Sequence, residues 1–446
     1  MPHEVVQMLL GFRVRNFASF RDEQVLSLWQ PRHGLDSAAF PVAALYGANA
    51  SGKTNLLRAM SFAQNAVVNS HRTWNPDGGI RGRSPFLLAP VDPGVTMVEF
   101  ELRIDGLRYR YGFECDDASF VREWLHSFPR GKRRVLFERD STLPDPWRFG
   151  RTFLGPNKVV AETTRKNSLY VSAAASANHA GVGPVYQWFS QHFDYIRPEN
   201  RDGRMSSSLA GLEGEGASNR VQQTLAFLKA ADVGIVDVRV VREPVSDRQS
   251  GVIRRVLAAI NDPSLSDTVV QQNTIDDAIE RASRKIRFEH QGEDGRAASF
   301  DVSDESFGTR ALLALSGPVI DALRDGDCLV IDELDGSLHP HLVAALIAVF
   351  KSDIDNPHHA QLIFTTHYAA LLSGRSAEHG VLERDDVWLV EKDETGASTI
   401  FPLTDFSPRQ RENLDWAYLQ GRYGAVPMLG RLAAAVSPGS PTSADS

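Results

Sequence analysis

Residues 47–54 read Gly-Ala-Asn-Ala-Ser-Gly-Lys-Thr and fit the phosphate-binding loop pattern GxxxxGK[ST]. Such a loop must join a buried strand to a helix. The apolar stretch 42–46 predicts the strand, and Leu56, Met60 and Ala63 recur at helical spacing after the loop. The sequence therefore predicts a strand, a loop and a helix whose N-terminus faces the phosphates of a nucleotide.

The loop supplies the groups that a bound polyphosphate needs. Its glycines let backbone N–H groups curl around the phosphates, Lys53 reaches the β and γ phosphates, and the Thr54 hydroxyl is the expected ligand of Mg²⁺. Lys53 is also expected to take part in catalysis. The expected nucleotide-binding residues of the loop are Gly47, Asn49, Ser51, Gly52, Lys53 and Thr54.

A second segment, which ends in two acidic residues, is the candidate for the rest of the nucleotide site. The short run 327–331 is mainly apolar and ends in Asp332 and Glu333, as a buried parallel strand does when its C-terminal end meets a metal and a water. We expect Asp332 to hold Mg²⁺, directly or through water, and Glu333 to orient or deprotonate the attacking water. Taken alone, the run is weak evidence, because strands often end in ordinary acidic turns. The presence of the phosphate loop in the same sequence favours a site for Mg²⁺ and the attacking water over that alternative.

Two weaker signals lie on either side of that segment. Ser306 and Gly308 precede an apolar-periodic stretch, so a hydroxyl and free N–H groups would face a γ phosphate. An ordinary helix N-cap is the alternative. His367 ends the apolar run 361–366, and is either a sensor of the γ phosphate or a structural histidine.

Length, charge and cysteines exclude several classes. A chain of 446 residues with 42% hydrophobic content predicts two or three structural units, and its net charge of −8 gives no general sign of a nucleic-acid or membrane surface. Cys115 and Cys328 are far apart and lack a CxxC pattern, which argues against disulfides and structural zinc. The N-terminus does not read as a signal peptide, and no apolar run approaches about 18 residues. We expect a cytoplasmic protein without a membrane segment.

Alternating residues mark the β structure. They predict two strands within 8–28, a hairpin over 95–114 that turns at Asp105-Gly106, and a continuation of that sheet at 120–140. The middle third has no long heptads, so it does not predict a coiled-coil arm. The Ser- and Gly-rich segment 205–219 predicts a mobile loop.

Several segments in chain order resemble the ABC-type ATPases of the RecF, SMC and OLD group. They are the opening strand 12–17, the phosphate loop, an "S-x-GT" variant of the signature motif at 306–309, the acidic pair with an "SLHP" D-loop, and the switch histidine His367. The resemblance implies ATP and Mg²⁺ as ligands and ATP hydrolysis as the activity. It also implies that Ser306 and Gly308 act on the nucleotide of a second copy, in a homodimer or higher oligomer. The family's Q-loop glutamine is not found: Gln64 lies on the first predicted helix.

The expected fold class is α/β, a P-loop NTPase of the ABC-like type with an antiparallel β subdomain and a mainly helical insertion. The expected parts are an N-terminal ATPase lobe at 1–150, the insertion with a β edge at 151–295, a C-terminal ATPase lobe at 296–430 and a disordered tail at 431–446. The ending 412–427 resembles bacterial abortive-infection ATPases. That resemblance implies a separately encoded effector, often a nuclease, in phage defence.

Three other functions compete with this one. A RecF-like DNA-repair ATPase would bind DNA phosphates through basic residues, of which the candidates are Arg130, Lys132, Arg133, Arg134, Arg281, Arg284, Lys285 and Arg287. A nuclease role would use Asp353 and Asp355, although Pro357 suggests a helix end there. A GTPase would need an NKxD motif, and the nearest match has Val160 in place of the aspartate.

Overall fold

A computed structural model of the chain describes residues 7–29, 39–88, 94–200, 204–205, 208, 217–231, 234–260, 279, 283–292, 295–336, 338–372, 381–407 and 412–426. The segment 205–219, predicted to be mobile, lies mostly outside the described residues. The tail 431–446, predicted to be disordered, lies wholly outside them.

The strands, in chain order, are β1 (Gln7–Arg15), β2 (Gln24–Ser27), β3 (Val42–Tyr46), β4 (Thr96–Ile104), β5 (Leu107–Cys115), β6 (Phe120–Ser127), β7 (Arg134–Asp140), β8 (Trp147–Phe149), β9 (Phe193–Ile196), β10 (Ile235–Arg242), β11 (Arg284–Gln291), β12 (Ala297–Asp301), β13 (Cys328–Ile331), β14 (Gln361–Thr365), β15 (Val387–Lys392) and β16 (Ser398–Pro402). The α-helices are α1 (Lys53–Asn69), α2 (Asn157–Thr163), α3 (Tyr170–Ser176), α4 (Gly183–Gln191), α5 (Ala217–Ala230), α6 (Asp247–Ile260), α7 (Phe307–Asp325), α8 (Pro340–Lys351) and α9 (Leu414–Leu419).

The first of two compact units comprises Met1–Pro198 and Ala322–Ser446. Its nucleotide-binding sheet has the strand order β16-β15-β3-β14-β13-β9. All neighbouring pairs are parallel except β15 with β16. Every residue of β3, β13 and β14 is buried, as expected for parallel strands covered on both faces. The predicted α/β P-loop fold is confirmed.

The second sheet of this unit is the predicted antiparallel subdomain, with the order β2-β1-β4-β5-β6-β7-β8. Strands β4 and β5 pair along their full length and turn at Asp105 and Gly106, which both have positive φ (51° and 76°). This is the geometry of a two-residue type I′ turn, which the Asp-Gly pair favours. The hairpin and its continuation through β6 and β7 are confirmed.

Helix α1 packs its apolar stripe into the core of this unit, with Leu56, Met60 and Ala63 fully buried. Aromatic rings dominate the same core: the ring centroids of Phe100 and Phe189 lie 4.9 Å apart in an edge-to-face contact. The wide apolar contact holds α1, and therefore the loop before it, in a fixed position.

The second unit comprises Glu199–Asp321, so the division falls within α7. It contains helices α5 and α6 and a three-stranded antiparallel sheet in the order β10-β11-β12. The expected insertion, 151–295, has different boundaries. The difference arises because β9 pairs with β13 in the parallel sheet, Phe193 opposite Cys328, which places 151–198 in the first unit.

Candidate nucleotide-binding site

The phosphate loop follows β3, which lies between β14 and β15 in the sheet. The loop ends at Gly52, whose φ of 116° is a conformation that L side chains rarely adopt. A Cβ atom on Gly52 would also lie 2.5 Å from the Ser398 hydroxyl oxygen, and one on Gly47 would lie 2.3 Å from the Val390 carbonyl oxygen. Both glycines are therefore required by contacts with β15 and β16.

Lys53 opens α1 and turns its side chain back into the loop. Its Nζ donates hydrogen bonds to the carbonyl oxygens of Gly47 (2.8 Å) and Ala48 (3.0 Å). Burial lowers the pKa of this ammonium to about 8, although the nearby carboxylates of Asp332, Asp335 and Glu333 act in the opposite direction. The lysine is thus a buried cation enclosed by the loop, where its charge would interact strongly with a polyphosphate.

Asp332 stands at the C-terminal end of β13 and joins the two halves of the site. Its Oδ1 lies 3.2 Å from the Thr54 hydroxyl, 278 positions earlier in the chain, and 2.7 Å from the Thr365 hydroxyl at the end of β14. The Asp332 side chain is buried and that of Thr54 is exposed. The predicted pair of Mg²⁺ ligands is therefore brought together by β3 and β13, which lie on either side of β14 in the parallel sheet.

Glu333 follows in the left-handed region, with φ of 54°, and its side chain is exposed. Its amide donates a 2.7 Å hydrogen bond to the Thr365 hydroxyl. A glutamate in this region carries a steric cost, which this bond helps to offset. The turn points Glu333 away from the buried Asp332, so two adjacent carboxylates have different surroundings.

His367 lies just beyond β14, and its side chain is exposed. Its backbone N–H donates a 3.0 Å hydrogen bond to Asp335 Oδ2, which links the histidine segment to the expected D-loop. Partial burial lowers the pKa of its imidazole, and the charge of Lys53 lowers it further. The neutral ring within the electrostatic reach of Lys53 can either donate or accept a hydrogen bond.

Ser306 and Gly308 belong to the second unit, at the start of α7. The Ser306 hydroxyl accepts the Thr309 N–H at 3.1 Å and lies 2.8 Å from the Thr309 hydroxyl. The serine is therefore an N-cap, which was the ordinary alternative considered from the sequence. Phe307, between the two candidates, is 59% exposed.

The remaining loop residues bear on whether a nucleotide and Mg²⁺ fit. Asn49 is exposed at the loop tip, whereas Ser51 is buried and its hydroxyl oxygen has no hydrogen-bond partner among the described residues. A buried hydroxyl of this kind is costly unless a ligand satisfies it. Oxygen ligands from a hydroxyl and a carboxylate, at Thr54 and Asp332, are the type that Mg²⁺ prefers. The residues present fit both groups.

The C-terminal segment also reaches the loop, which the sequence did not predict. Helix α9 places the Tyr418 ring edge-on to the ring of Tyr46, with centroids 5.4 Å apart. Burial raises the pKa of the Tyr418 phenol, and a hydrogen bond from the Gly47 N–H opposes this shift. Helix α9 is short and glycines follow it: Gly421 and Gly424 both have positive φ.

The sequence did not predict three further residues of the site. They are Thr365, which contacts Asp332, and Ser19 and Ser398, which lie beside Gly52 of the phosphate loop. Thr365 precedes His367 by two positions, so the end of that apolar run was the available signal. Ser19 and Ser398 belong to no motif and carried no signal. Gln64, in contrast, is structural: its amide donates to the carbonyl oxygens of Phe189 (3.1 Å) and Phe193 (2.7 Å).

Several candidate basic residues for DNA binding are paired with acids. Arg133 donates to Glu138 at 2.7 Å, and Lys285 and Arg287 each lie 2.7 Å from a Glu243 oxygen. Arg281 lies outside the described residues. The other described candidate side chains, those of Arg130, Lys132 and Arg134, are exposed around the β6–β7 turn.

Acidic and imidazole side chains lie at the two ends of helix α8. Asp353 and Asp355 are exposed just after α8 ends, in agreement with the predicted helix end. His339 caps α8 by accepting the His341 N–H on its Nδ1 at 3.3 Å.

None of the helices in the described residues has the length and apolar composition needed to cross a membrane.

The chain matches a known protein family over most of its length. The family described as "AAA domain, putative AbiEii toxin, Type IV TA system" matches residues 42–373, most of the chain. A search of curated proteins gave no significant match.

Similar solved structures include the SMC head domain from Thermotoga maritima, with 13% identity, a TM-score of 0.39 and coverage of 88% of this chain and 98% of that one. An SMC head bound to the C-terminal winged-helix domain of ScpA has 10% identity and a TM-score of 0.43, and covers 88% of this chain and 96% of that one. A Pyrococcus furiosus SMC head with an extended coiled coil, bound to the C-terminal domain of ScpA, has 10% identity and a TM-score of 0.39 over 90% and 98%.

Proposed function

We propose that this chain, which belongs to the AbiEii-type AAA-domain family, is an ABC-type P-loop ATPase that binds ATP with Mg²⁺ and hydrolyses it to ADP and phosphate. The observation that carries the proposal is the meeting of Thr54, Asp332 and Thr365 through hydrogen bonds of 3.2 and 2.7 Å. An ordinary glycine-bearing turn would not require a carboxylate from a distant strand to lie beside the Thr54 hydroxyl.

Each residue has a distinct part in the proposed reaction. Lys53 and the loop N–H groups bind the triphosphate, and Thr54 and Asp332 hold Mg²⁺, which when bound neutralises charge on the phosphates. Glu333, exposed beside the buried Asp332, accepts a proton from the attacking water. A new bond forms between the water oxygen and the γ phosphorus while the β–γ bridge bond breaks and ADP leaves. His367 contacts the γ phosphate as a sensor.

We further propose that two copies associate on ATP, with Ser306 and Gly308 of one facing the γ phosphate of the other. The N-terminus of α7 suits an anion, because the helix dipole favours negative charge at that end. Dimerisation would thus complete the nucleotide site.

At the level of the cell, we propose that this ATPase controls a separately encoded effector, such as a nuclease, in phage defence. Membership of an AbiEii-type family supports this role. A DNA-repair role is less well supported, because Arg133, Lys285 and Arg287 are already paired with carboxylates.

The exchange Glu333→Gln tests the enzymatic proposal. The variant should bind Mg-ATP with unchanged affinity, lose turnover and accumulate as a dimer, because the amide cannot accept the proton from water. Light scattering after size exclusion would measure the mass, and phosphate release the turnover. Lys53→Ala is the control, and should remain monomeric because it does not bind ATP. A Glu333→Gln chain that stays monomeric with ATP bound would contradict the dimer, and one with normal turnover would contradict the role of Glu333.

A further inference from the structure

A row of hydrogen-bonded groups from distant parts of the sequence lies behind the phosphate loop and is called the wall below. It consists of the Asn55 amide, the hydroxyls of Ser19 and Ser398, and the Ser51 carbonyl. Asn55 Nδ2 lies 2.9 Å from Ser19 Oγ, Ser19 Oγ lies 2.7 Å from Ser398 Oγ, and Ser398 Oγ lies 2.5 Å from the Ser51 carbonyl oxygen. Ser19 follows β1, and Ser398 opens β16. The backbone N–H of Ser398 also donates to the Ser19 carbonyl oxygen at 2.7 Å, which locks these two residues together.

The positions of the hydroxyl protons in this row of hydrogen bonds follow from the groups at its two ends. The Ser51 carbonyl can only accept, so the single hydroxyl proton of Ser398 goes to it. The contact between the two hydroxyls must then use the proton of Ser19, which leaves the Ser19 oxygen to accept from the amide of Asn55. In this arrangement the hydroxyls of Ser19 and Ser398 each donate one hydrogen bond and accept one, and Ser398 is only 2% exposed.

This arrangement fixes one peptide of the loop. In a trans peptide the C=O and the following N–H point in opposite directions. Since the Ser51 carbonyl is held on the wall by Ser398, the Gly52 N–H is directed away from the wall. The two hydroxyls also crowd the Gly52 Cα, because a Cβ there would lie 2.5 Å from Ser398 Oγ and 2.8 Å from Ser19 Oγ. The peptide between Ser51 and Gly52 is therefore both hydrogen-bonded and sterically confined.

We infer that Ser398 is a positioning residue for nucleotide phosphate, acting through the Ser51–Gly52 peptide and supported by Ser19 and Asn55. Ser398 lies beyond the residues matched by the family, which end at 373. The inference rests on the proposed nucleotide binding. Without the Ser398 hydroxyl, the peptide loses its anchor and the Gly52 N–H no longer has a fixed direction.

Binding of Mg-ADP to the full chain, measured by calorimetry, tests this role. Ser398→Ala should weaken binding about tenfold, the effect of about one hydrogen bond to phosphate. The matched control is Thr399→Ala, which removes an exposed hydroxyl from the next position of the same strand and should leave the affinity unchanged. Ser19→Ala should weaken binding less, and the double variant Ser19→Ala/Ser398→Ala no more than Ser398→Ala alone, because Ser19 acts through Ser398.

The outcomes distinguish failure of the positioning role of Ser398 from failure of the proposed nucleotide binding. A Ser398→Ala chain that melts earlier but binds Mg-ADP as tightly as the unaltered chain would overturn the positioning role and leave a structural one. If Ser398→Ala does not fold, Ser19→Ala decides in the same way, since unchanged affinity there would remove the support for the relay. Failure of the unaltered chain to bind Mg-ADP would instead contradict the proposed function itself.

Discussion

The hydroxyl oxygen of Thr365 lies 2.7 Å from Asp332 Oδ1 and 2.7 Å from the amide nitrogen of Glu333. Because a carboxylate accepts and an N–H donates, this one hydroxyl donates to Asp332 and accepts from Glu333. Thr365 is 1% exposed, so no solvent competes for these bonds. A single side chain at the end of β14 thus orients both acidic residues of the proposed site.

Exchange of Thr365 for valine should damage both stability and turnover. The variant keeps the shape but leaves the Glu333 N–H without its acceptor, which should lower the free energy of unfolding by about 1–3 kcal/mol. We expect ATP turnover to fall by more than binding, because Glu333 loses its orientation. Urea unfolding and phosphate release measure the two effects. The control is Thr366→Val, a neighbouring buried threonine whose hydroxyl accepts from the Tyr368 N–H instead. Equal loss of turnover in both variants would contradict a specific role of Thr365.

The sequence predicted those parts of the site that are encoded locally. The phosphate loop, the strand before it and the Asp105-Gly106 turn each depend on a few adjacent residues whose pattern is specific. Asp332 and Glu333 were predicted because an apolar run ends in them, and the fold brings Asp332 to Thr54 as expected. For such elements, local chemistry and the final structure agree.

Contacts between distant elements could not be predicted in the same way. Ser398 reaches the loop from a position 347 residues later, and a serine in an edge hairpin has no pattern that marks it. Strand β9 was missed because its four residues, Phe-Asp-Tyr-Ile, are too few to establish a period. Its place beside β13 depends on a pairing between Phe193 and Cys328, which only the folded chain defines.

The affinity for Mg-ADP should depend on pH through Lys53. Burial lowers the pKa of its ammonium to about 8, and a bound polyphosphate favours the charged form. Below pH 8 the lysine is already charged and the affinity should be constant. Above pH 8 binding must take up a proton, so the affinity should fall by up to about tenfold per pH unit.

Calorimetry between pH 7 and about pH 9, in buffers of different ionisation enthalpy, would measure both the affinity and the proton uptake. Lys53→Arg is the control, because a guanidinium stays charged over this range. If that variant binds at all, its profile should be flat. A flat profile in the unaltered chain would contradict the assigned role of the buried ammonium.

The N-cap geometry of Ser306 allows its two roles to be separated. Aspartate also caps helices well, so Ser306→Asp should keep the stability of α7, but its charge should repel a γ phosphate offered by a second copy. We expect unchanged ATP binding at Lys53, at least about tenfold slower turnover and no ATP-dependent dimer.

Ser306→Ala provides the opposite case, because it loses the cap, at a cost of about 1 kcal/mol, without adding charge. Ultracentrifugation with ATP and thermal unfolding would distinguish the two variants. A Ser306→Asp chain that dimerises and turns over normally would show that this end of α7 does not face the nucleotide.

Glu123 offers a test of the fold that is independent of nucleotide. This residue of β6 is fully buried, and its carboxylate accepts hydrogen bonds from the N–H groups of Tyr170 (2.6 Å) and Val171 (3.0 Å) and from the Tyr111 hydroxyl (3.1 Å). Burial outweighs these bonds and raises the pKa of Glu123 from its ordinary value of 4.5 to about 6. The native state therefore holds this proton more tightly than the unfolded chain does.

The stability contribution of that proton is fully present below pH 4.5 and is lost as the pH rises through 6, which amounts to about 2 kcal/mol. Glu123→Gln cannot titrate, so the difference in the free energy of unfolding between the unaltered chain and the variant should fall by this amount between pH 4.5 and pH 7. Urea unfolding at both pH values measures it, and other ionisable groups cancel in the difference. A difference that does not change with pH would mean that the hydrogen bonds cancel the effect of burial on the pKa of Glu123, and one that rises with pH would mean that they outweigh it.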